Sequence, residues 1–280
     1  MTPGVEVTTG PLGQGFANGV GMGIAQAHLA ARFNRKGFPV ADGYIYCICS
    51  DGDLMEGVSY EAASMAGHLK LGNLIYLSDD NRITIDGSTD LAFTEDTTKR
   101  FQAAGWHVSD VKDGNDLKAI EAAIKDAQKV KDKPSLIRVH TIIGFGMPKQ
   151  GTSKAHSDAP GEEAVKETKR NLGWPENKSF YVPKEALAHF RQAVKTGTKL
   201  EKDWNETVKK YEKANPELGA AFKSIRSSEL PAGWEKSLPK FEDVEAKATR
   251  AYSGDVINAI AVAVPGMVGG SADLKPSNNT

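Results

Sequence analysis

The chain has 280 residues, of which 40% are apolar and 25% charged, and its formal net charge is −1. This is the composition of an ordinary globular fold, long enough for one large or two modest domains. The balanced charge gives no electrostatic footprint for nucleic acid or an anionic membrane, so neither is expected as a partner.

Met1-Thr2-Pro3-Gly4 has neither the basic nor the apolar region of a secretory signal, so the expectation is a cytoplasmic protein. Residues 2–13 read as a loop feeding a helix over 15–33. That helix is rich in small residues but carries Asn18, Gln26 and His28, which exclude a membrane span. A short apolar run over 44–49 reads as a buried strand. It holds both cysteines, Cys47 and Cys49, on one side of a sheet, a spacing that fits neither a zinc CxxC nor a disulfide framework. A helix over 58–69 and a strand over 73–77 follow, then a helix over 96–104 and a strand over 106–111. Leu117, Ile120, Ile124, Ala127 and Val130 recur at helical spacing, and Pro134 ends that segment before an apolar strand over 136–143. Such alternation predicts an α/β fold, a doubly wound parallel sheet with helices on both faces.

The composition then shifts. Residues 144–161 form a loop rich in Gly, Ser, Lys and Pro, long enough to suggest function. Residues 162–245 are charge-rich and carry helical patterns such as Leu187, Phe190, Val194 and Trp204, Val208, Tyr211, which predict an extended helical linker. A new apolar pattern predicts a helix over 248–264 and a strand over 267–274. A domain cannot bury a core on one strand, so a truncated C-terminus is expected. The opening loop has no strand before it, and a missing N-terminal part is expected too.

Two glycine clusters stand near the start. Gly15, Gly19 and Gly23 recur every four residues and line one helix face, which reads as close helix packing. Gly10-Pro11-Leu12 is different, because a Gly-Pro turn ahead of a helix presents backbone groups at a fixed place and suits gripping a ring. Asp51, in Ser50-Asp51-Gly52, and Asn81, in Asp79-Asp80-Asn81, each follow a predicted strand, with a helix between. A βαβ unit places both at the carboxyl ends of neighbouring parallel strands, where open α/β sheets bind ligands. Gly52 lets a phosphate approach the backbone. The Ile83 carbonyl can add a third oxygen, and such a set suits a magnesium or calcium ion bridged to a diphosphate.

These residues resemble the transketolase family, over essentially the whole chain. The resemblance rests on Thr8-Thr9-Gly10-Pro11-Leu12-Gly13-Gln14-Gly15, on Asp51-Gly52 with Glu56-Gly57, on Asp79-Asp80-Asn81 with Ile83-Thr84-Ile85-Asp86-Gly87, and on Gly269-Gly270-Ser271-Ala272-Asp273-Leu274. The first and last runs are the most specific. The resemblance implies a thiamine-diphosphate enzyme of the pentose phosphate pathway. It would move a two-carbon ketol unit from a ketose phosphate such as xylulose 5-phosphate to an aldose phosphate such as ribose 5-phosphate. It implies a diphosphate-binding domain over 1–161 lacking its N-terminal part, a linker over 162–245, and the truncated start of a pyrimidine-binding domain over 246–280.

Roles follow from the resemblance. Asp51, Asn81 and Ile83 would bind Mg2+ or Ca2+, and Gly52 the diphosphate. Gly10, Leu12 and Ile85 would hold the cofactor's rings, with Asp273 near it from the second domain. His156 would be the loop histidine beside diphosphate and substrate. Glu56 and Glu61 match acidic residues near a homodimer axis, and Arg250 and Ser277 match binders of the sugar phosphate. The chain departs from the family in three respects. Ser50 stands where the family usually has Gly, and the loop around His156 has one residue more before Ala159-Pro160. The family's N-terminal histidines and the second-domain glutamate that protonates the aminopyrimidine have no counterpart. A fragment inactive alone is therefore expected. The alternatives are ketol transfer to formaldehyde, as in dihydroxyacetone synthase, and a non-catalytic cofactor-binding half that pairs with another chain.

Overall fold

A computed structural model of the chain describes residues 2, 4–242, 245–271 and 273–280. Four parallel strands form one sheet in the order β1-β2-β4-β3. They are β1 (Ile45–Ser50), β2 (Leu74–Asp80), β3 (His107–Val111) and β4 (Ser135–His140). The ten helices described are α1 (Gln14–Phe33), α2 (Gly57–His68), α3 (Thr97–Ala103), α4 (Leu117–Ala127), α5 (Lys154–Ser157), α6 (Glu162–Asn171), α7 (Lys184–Ala214), α8 (Pro216–Arg226), α9 (Thr249–Ala263) and α10 (Lys275–Asn278). Among the described residues, no helix is long and apolar enough to cross a membrane. The residues group into two compact units, 1–32 with 41–193, and 33–40 with 194–280.

In the first unit the side-chain alternation of the strands builds a core on each face of the sheet. Leu74, Tyr76, Leu136 and Cys49 pack with Phe16 and Val20 of α1, Ala62, Ala63 and Ala66 of α2, and Phe101 of α3. Ile75, Ile137, Val139 and Val111 pack on the other face with Ala127 and, beside it, Ile120 and Ile124 of α4. The strand order explains this division. The chain steps one way across the sheet through α2 and α3 and steps back through α4, and right-handed crossovers then place α4 on the opposite face. Asp96 caps α3 by accepting from Lys99 N at 3.0 Å, and Asp116 caps α4 by accepting from Lys118 N and Ala119 N, both at 3.0 Å. At the outer strand β1, Ile48 points away from the core and is 85% exposed.

Most elements lie within a few residues of their predicted places, with three differences that matter. The predicted strand over 73–77 runs on to Asp80, because Asp79 and Asp80 pair with Val139 and His140 in the ladder and their carboxylates find partners there. The strand predicted over 136–143 stops at His140, where Thr141 N reaches Asp80 O and the chain then turns at residues 142–145. The strand predicted over 267–274 is overturned. Its described residues form no strand, and α10 begins at Lys275. Apolar character alone cannot make a strand without a ladder partner for its N–H and C=O groups, and every described ladder lies within residues 45–140. Ala272 lies outside the described residues.

The second unit has its own core, in which Phe33, Phe222 and Tyr211 stack at 5.2–6.3 Å between ring centres and Trp204 Nε1 donates to Val40 O at 3.1 Å.

Gly19 explains how α1 lies so close to the sheet. A Cβ there would sit 2.3 Å from both Cys47 Sγ and Tyr76 Oη, whereas at Gly23 it would meet only ordinary contacts of 3.4 Å and more. Gly19→Ala should therefore cost about 1–3 kcal/mol of stability by overpacking. Gly23→Ala should change it by less than about 1 kcal/mol, because the gain in helix propensity works against any crowding. Urea unfolding of both variants checks this, and equal effects would reject the close-approach argument.

Candidate functional site

Asp51 is the residue after β1 and Asn81 the residue after β2, and these strands are parallel neighbours with Ser50 opposite Asp79. The register therefore carries both side chains to one end of the sheet, as the sequence predicted. Asp51 is only 8% exposed. Its Oδ2 accepts from Arg82 N at 2.8 Å, and Asn81 Oδ1 accepts from Ile83 N at 2.9 Å. Arg82 adopts φ +59, a left-handed conformation unusual for a side chain with a Cβ, so the chain turns sharply just after the N–H that meets Asp51. The bonds that close the following turn use the carbonyls of Arg82 and Gly87, which leaves the Ile83 carbonyl outside them.

The charge on Asp51 has no cationic partner: among the described residues no lysine, arginine or histidine pairs with it. Burial pushes its pKa up to about 6, and the Asp80 and Asp79 carboxylates push the same way against the pull of the Arg82 N–H. Asp80, by contrast, is well paired. Its Oδ2 lies 3.0 Å from Arg138 Nη2 and 2.9 Å from His140 Nδ1. Asp79 accepts a hydrogen bond from Thr141 Oγ1. A polar cavity of about 420 Å³ opens beside these groups, lined by Asp51, Asp80, Arg82 and Arg138 among others.

The loop before α1 reaches the same place. A Cβ at Gly52 would lie 3.4 Å from Leu12 Cδ1, so the 10–12 turn and the Asp51-Gly52 turn are neighbours. Leu12 and Ile85 are 51% and 68% exposed, apolar surfaces offered to solvent. Gly13, at φ +78, is pressed against Glu56 and Val58, where a Cβ would come within 2.8 Å. Asp53 was assigned no role from the sequence, yet its carboxylate joins the two turns: Oδ1 accepts from Gly13 N at 2.9 Å and Oδ2 from Ser50 N at 2.8 Å. A third acidic residue in a turn already carrying Asp51 gave no pattern from which to read this.

The remaining candidates are placed less tightly. Gly10, Glu56 and Glu61 are exposed. His156 is exposed on α5, in the loop that follows β4. In the second unit, Arg250 lies near the start of α9 and Ser277 on α10, two elements joined where Asn279 Nδ2 donates to Arg250 O at 3.2 Å. Asp273 is exposed just ahead of α10.

The donor set is suited to a hard cation. No three side chains of His, Cys, Asp or Glu converge on a metal position among the described residues. The chain thus offers a partial shell of one carboxylate, one amide oxygen and one carbonyl, which needs further oxygens from a ligand. The buried, unpaired carboxylate and the glycine beside it fit a metal-bridged diphosphate.

A parallel α/β sheet with an oxygen-donor pair and a glycine turn at its carboxyl edge defines a domain that binds a phosphorylated cofactor. The family described as "Transketolase, thiamine diphosphate binding domain" matches residues 1–231. The transketolase of Geobacillus stearothermophilus is 53% identical over all of this chain and 42% of its own length, and the chloroplastic transketolase of Spinacia oleracea is 51% identical over all of this chain and 38% of its own. The solved structure of transketolase from Leishmania mexicana superposes with a TM-score of 0.95 at 47% identity, over 99% of this chain and 41% of that one. One from Pichia stipitis, in complex with sedoheptulose 7-phosphate, superposes at 0.96 and 48%, again over 99% and 41%. The chain belongs to the transketolase family and spans about two fifths of the length of these relatives.

The raised pKa of Asp51 has a testable sign. The unfolded carboxyl titrates near pH ~4. With no metal bound, the stability gained from protonating Asp51 in the fold is fully present below that pH and is lost as the pH rises through about 6. Asp51→Asn, which stays neutral, should match the metal-free parent near pH 4 and exceed it in stability above pH 6. Urea unfolding at both pH values checks this, and a difference independent of pH would reject it.

Proposed function

We propose that the protein expressed from its complete gene is a transketolase, moving a two-carbon ketol unit from a ketose phosphate such as xylulose 5-phosphate to an aldose phosphate such as ribose 5-phosphate. The observation that carries this reading is the buried Asp51 carboxylate, which lacks a cation and sits with Asn81 at the ends of adjacent parallel strands, beside the Leu12 and Gly52 turns. The family match and the sugar phosphate held by the Pichia stipitis relative support it.

In this reading Asp51, the Asn81 amide oxygen and the Ile83 carbonyl hold a magnesium or calcium ion. Gly52 admits the diphosphate to the backbone, while Gly10, Leu12 and Ile85 frame the rings of thiamine diphosphate. Once bound, that cofactor supplies the electron sink for cleaving a carbon–carbon bond next to a carbonyl. His156 donates hydrogen bonds at the diphosphate and the substrate. Arg250 and Ser277 bind the sugar phosphate, where a guanidinium can pair two phosphate oxygens at once. Asp273 orients the cofactor from the second domain, and Glu56 and Glu61 lie at the axis of a homodimer. The functional division is a diphosphate domain over 1–161, a linker over 162–245 and the start of a pyrimidine domain over 246–280, in a cytoplasmic enzyme.

Asp51→Ala and Asn81→Ala should each weaken metal-dependent binding of thiamine diphosphate by more than the roughly 10–100-fold that loss of an outer-shell partner costs. Titration calorimetry with magnesium and with chelator tests this, and binding indifferent to both would rule the site out. The 280-residue chain alone should show no ketol transfer. A ribose 5-phosphate-dependent rate from it would contradict that, and preference of the complete protein for formaldehyde would shift the assignment to a dihydroxyacetone synthase.

A further inference from the structure

Asp53 is the one carboxylate at the site whose bonds run to two separate turns. Its Oδ1 accepts from Gly13 N at 2.9 Å. Its Oδ2 accepts from Ser50 N at 2.8 Å and from Ser50 Oγ at 2.9 Å. Its own carbonyl accepts from Ser59 Oγ, at the start of α2, at 2.6 Å. No lysine, arginine or histidine pairs with it among the described residues, so its charge is met entirely by N–H and O–H dipoles. Gly13 follows Leu12 directly, and Ser50 precedes Asp51 directly.

We propose that Asp53 is a positioning residue that ties the 10–13 turn to the Asp51-Gly52 turn and so sets the spacing between the grip on the cofactor's rings and the grip on its diphosphate. The proposal rests on the thiamine-diphosphate reading of the site. Gly13 and Asp53 stand 40 positions apart in the chain. The turn's own local bonds, from Gln14 N to Pro11 O and from Ala17 N to Gly13 O, join it only to α1, so a long-range bond is what fixes it against the Asp51-Gly52 turn. The packing is tight enough to transmit the tie, since Gly13 has no room for a side chain against Glu56 and Val58, and Leu12 lies against Gly52. Ser50 extends the tie with its hydroxyl. A carboxylate that accepts three charge-assisted bonds holds its partners more firmly than a neutral acceptor does. Asp53 touches neither metal nor substrate in this arrangement. Its effect is on how well the free protein is shaped for the cofactor, so it acts on affinity before it acts on rate.

The experiment uses the protein expressed from its complete gene, with Asp53→Ala, Asp53→Asn and, as the ligand control, Asp51→Ala. Three quantities are read: amide exchange at Gly13 and Ser50 without cofactor, the Kd of thiamine diphosphate at saturating magnesium, and kcat at saturating cofactor. In Asp53→Ala the two amides should exchange at least about tenfold faster and the Kd should rise by at least about tenfold, as expected for losing bonds to a charged group, while kcat stays within about twofold. Asp53→Asn keeps one acceptor and should fall between, which preserves the test if the alanine variant does not fold. Asp51→Ala should lose cofactor binding while leaving Gly13 protected. Unchanged exchange and Kd in both Asp53 variants would overturn the proposal, as would a fall in kcat with Kd unchanged. A wild-type protein that binds no thiamine diphosphate overturns the reading beneath it, and the exchange rates alone then uphold or overturn the tie between the turns.

Discussion

Asp51 buries a negative charge at the carboxyl end of the sheet with only backbone N–H groups, chiefly that of Arg82, to meet it, and no lysine, arginine or histidine pairs with it among the described residues. Burial of that kind is unfavourable unless something else neutralises the charge. The surrounding chain accepts a second cost to maintain it, because Arg82 is held in a left-handed conformation that L residues avoid by roughly 1–2 kcal/mol. Two unfavourable features side by side in a well-packed domain point to a site shaped for a ligand rather than for its own stability. The fold then has to keep β1 and β2 in strict register, since a slip of one residue would carry Asp51 to the opposite face.

That register is enforced from the core. Phe16, Tyr76, Trp106 and Phe101 form a continuous aromatic cluster with ring centres 4.3–6.1 Å apart, and Trp106 Nε1 is anchored to Ala63 O at 2.8 Å. Tyr76 also hydrogen-bonds to Phe16 O, so one side chain of β2 fixes the start of α1. The turn that carries Leu12 enters α1 just ahead of that point. A rigid sheet thus positions loops that are themselves irregular, the usual division of labour in α/β enzymes. On the far side, the Arg138, Asp80, His140 and Asp110 group fastens the ends of β2, β3 and β4 together. One wall of the cavity is therefore stiff and polar, though none of those side chains belongs to the expected cofactor set.

The strands, their parallel arrangement and the Asp51–Asn81 pairing were legible in the sequence because they depend on short-range signals: apolar runs, a glycine after an aspartate, and a helix of suitable length between two strands. Sequence could not show the tie through Asp53, which depends on a partner far along the chain, nor the left-handed turn at Arg82, where no glycine marks it. The strand read into 267–274 shows the opposite failure. Val268, Leu274 and their neighbours have the right composition, but composition does not supply a ladder partner. His140 belongs to no motif and is nonetheless held between Asp80 and Asp110. Which charges meet is set by which strand ends lie side by side, and the order β1-β2-β4-β3 is not written in any one segment.

The outer position of β1 has a practical side. Ile48 presents its side chain to water, and among the described residues the outer edge of the same strand has no neighbour in the sheet for its N–H and C=O groups. Natural proteins blunt such edges with charge or proline, and this strand, Ile45-Tyr46-Cys47-Ile48-Cys49-Ser50, has neither. Handled in isolation, the 280-residue chain carries a template for edge-to-edge pairing. Stocks would therefore keep best at low protein concentration, with turbidity rather than loss of helix as the early sign of deterioration.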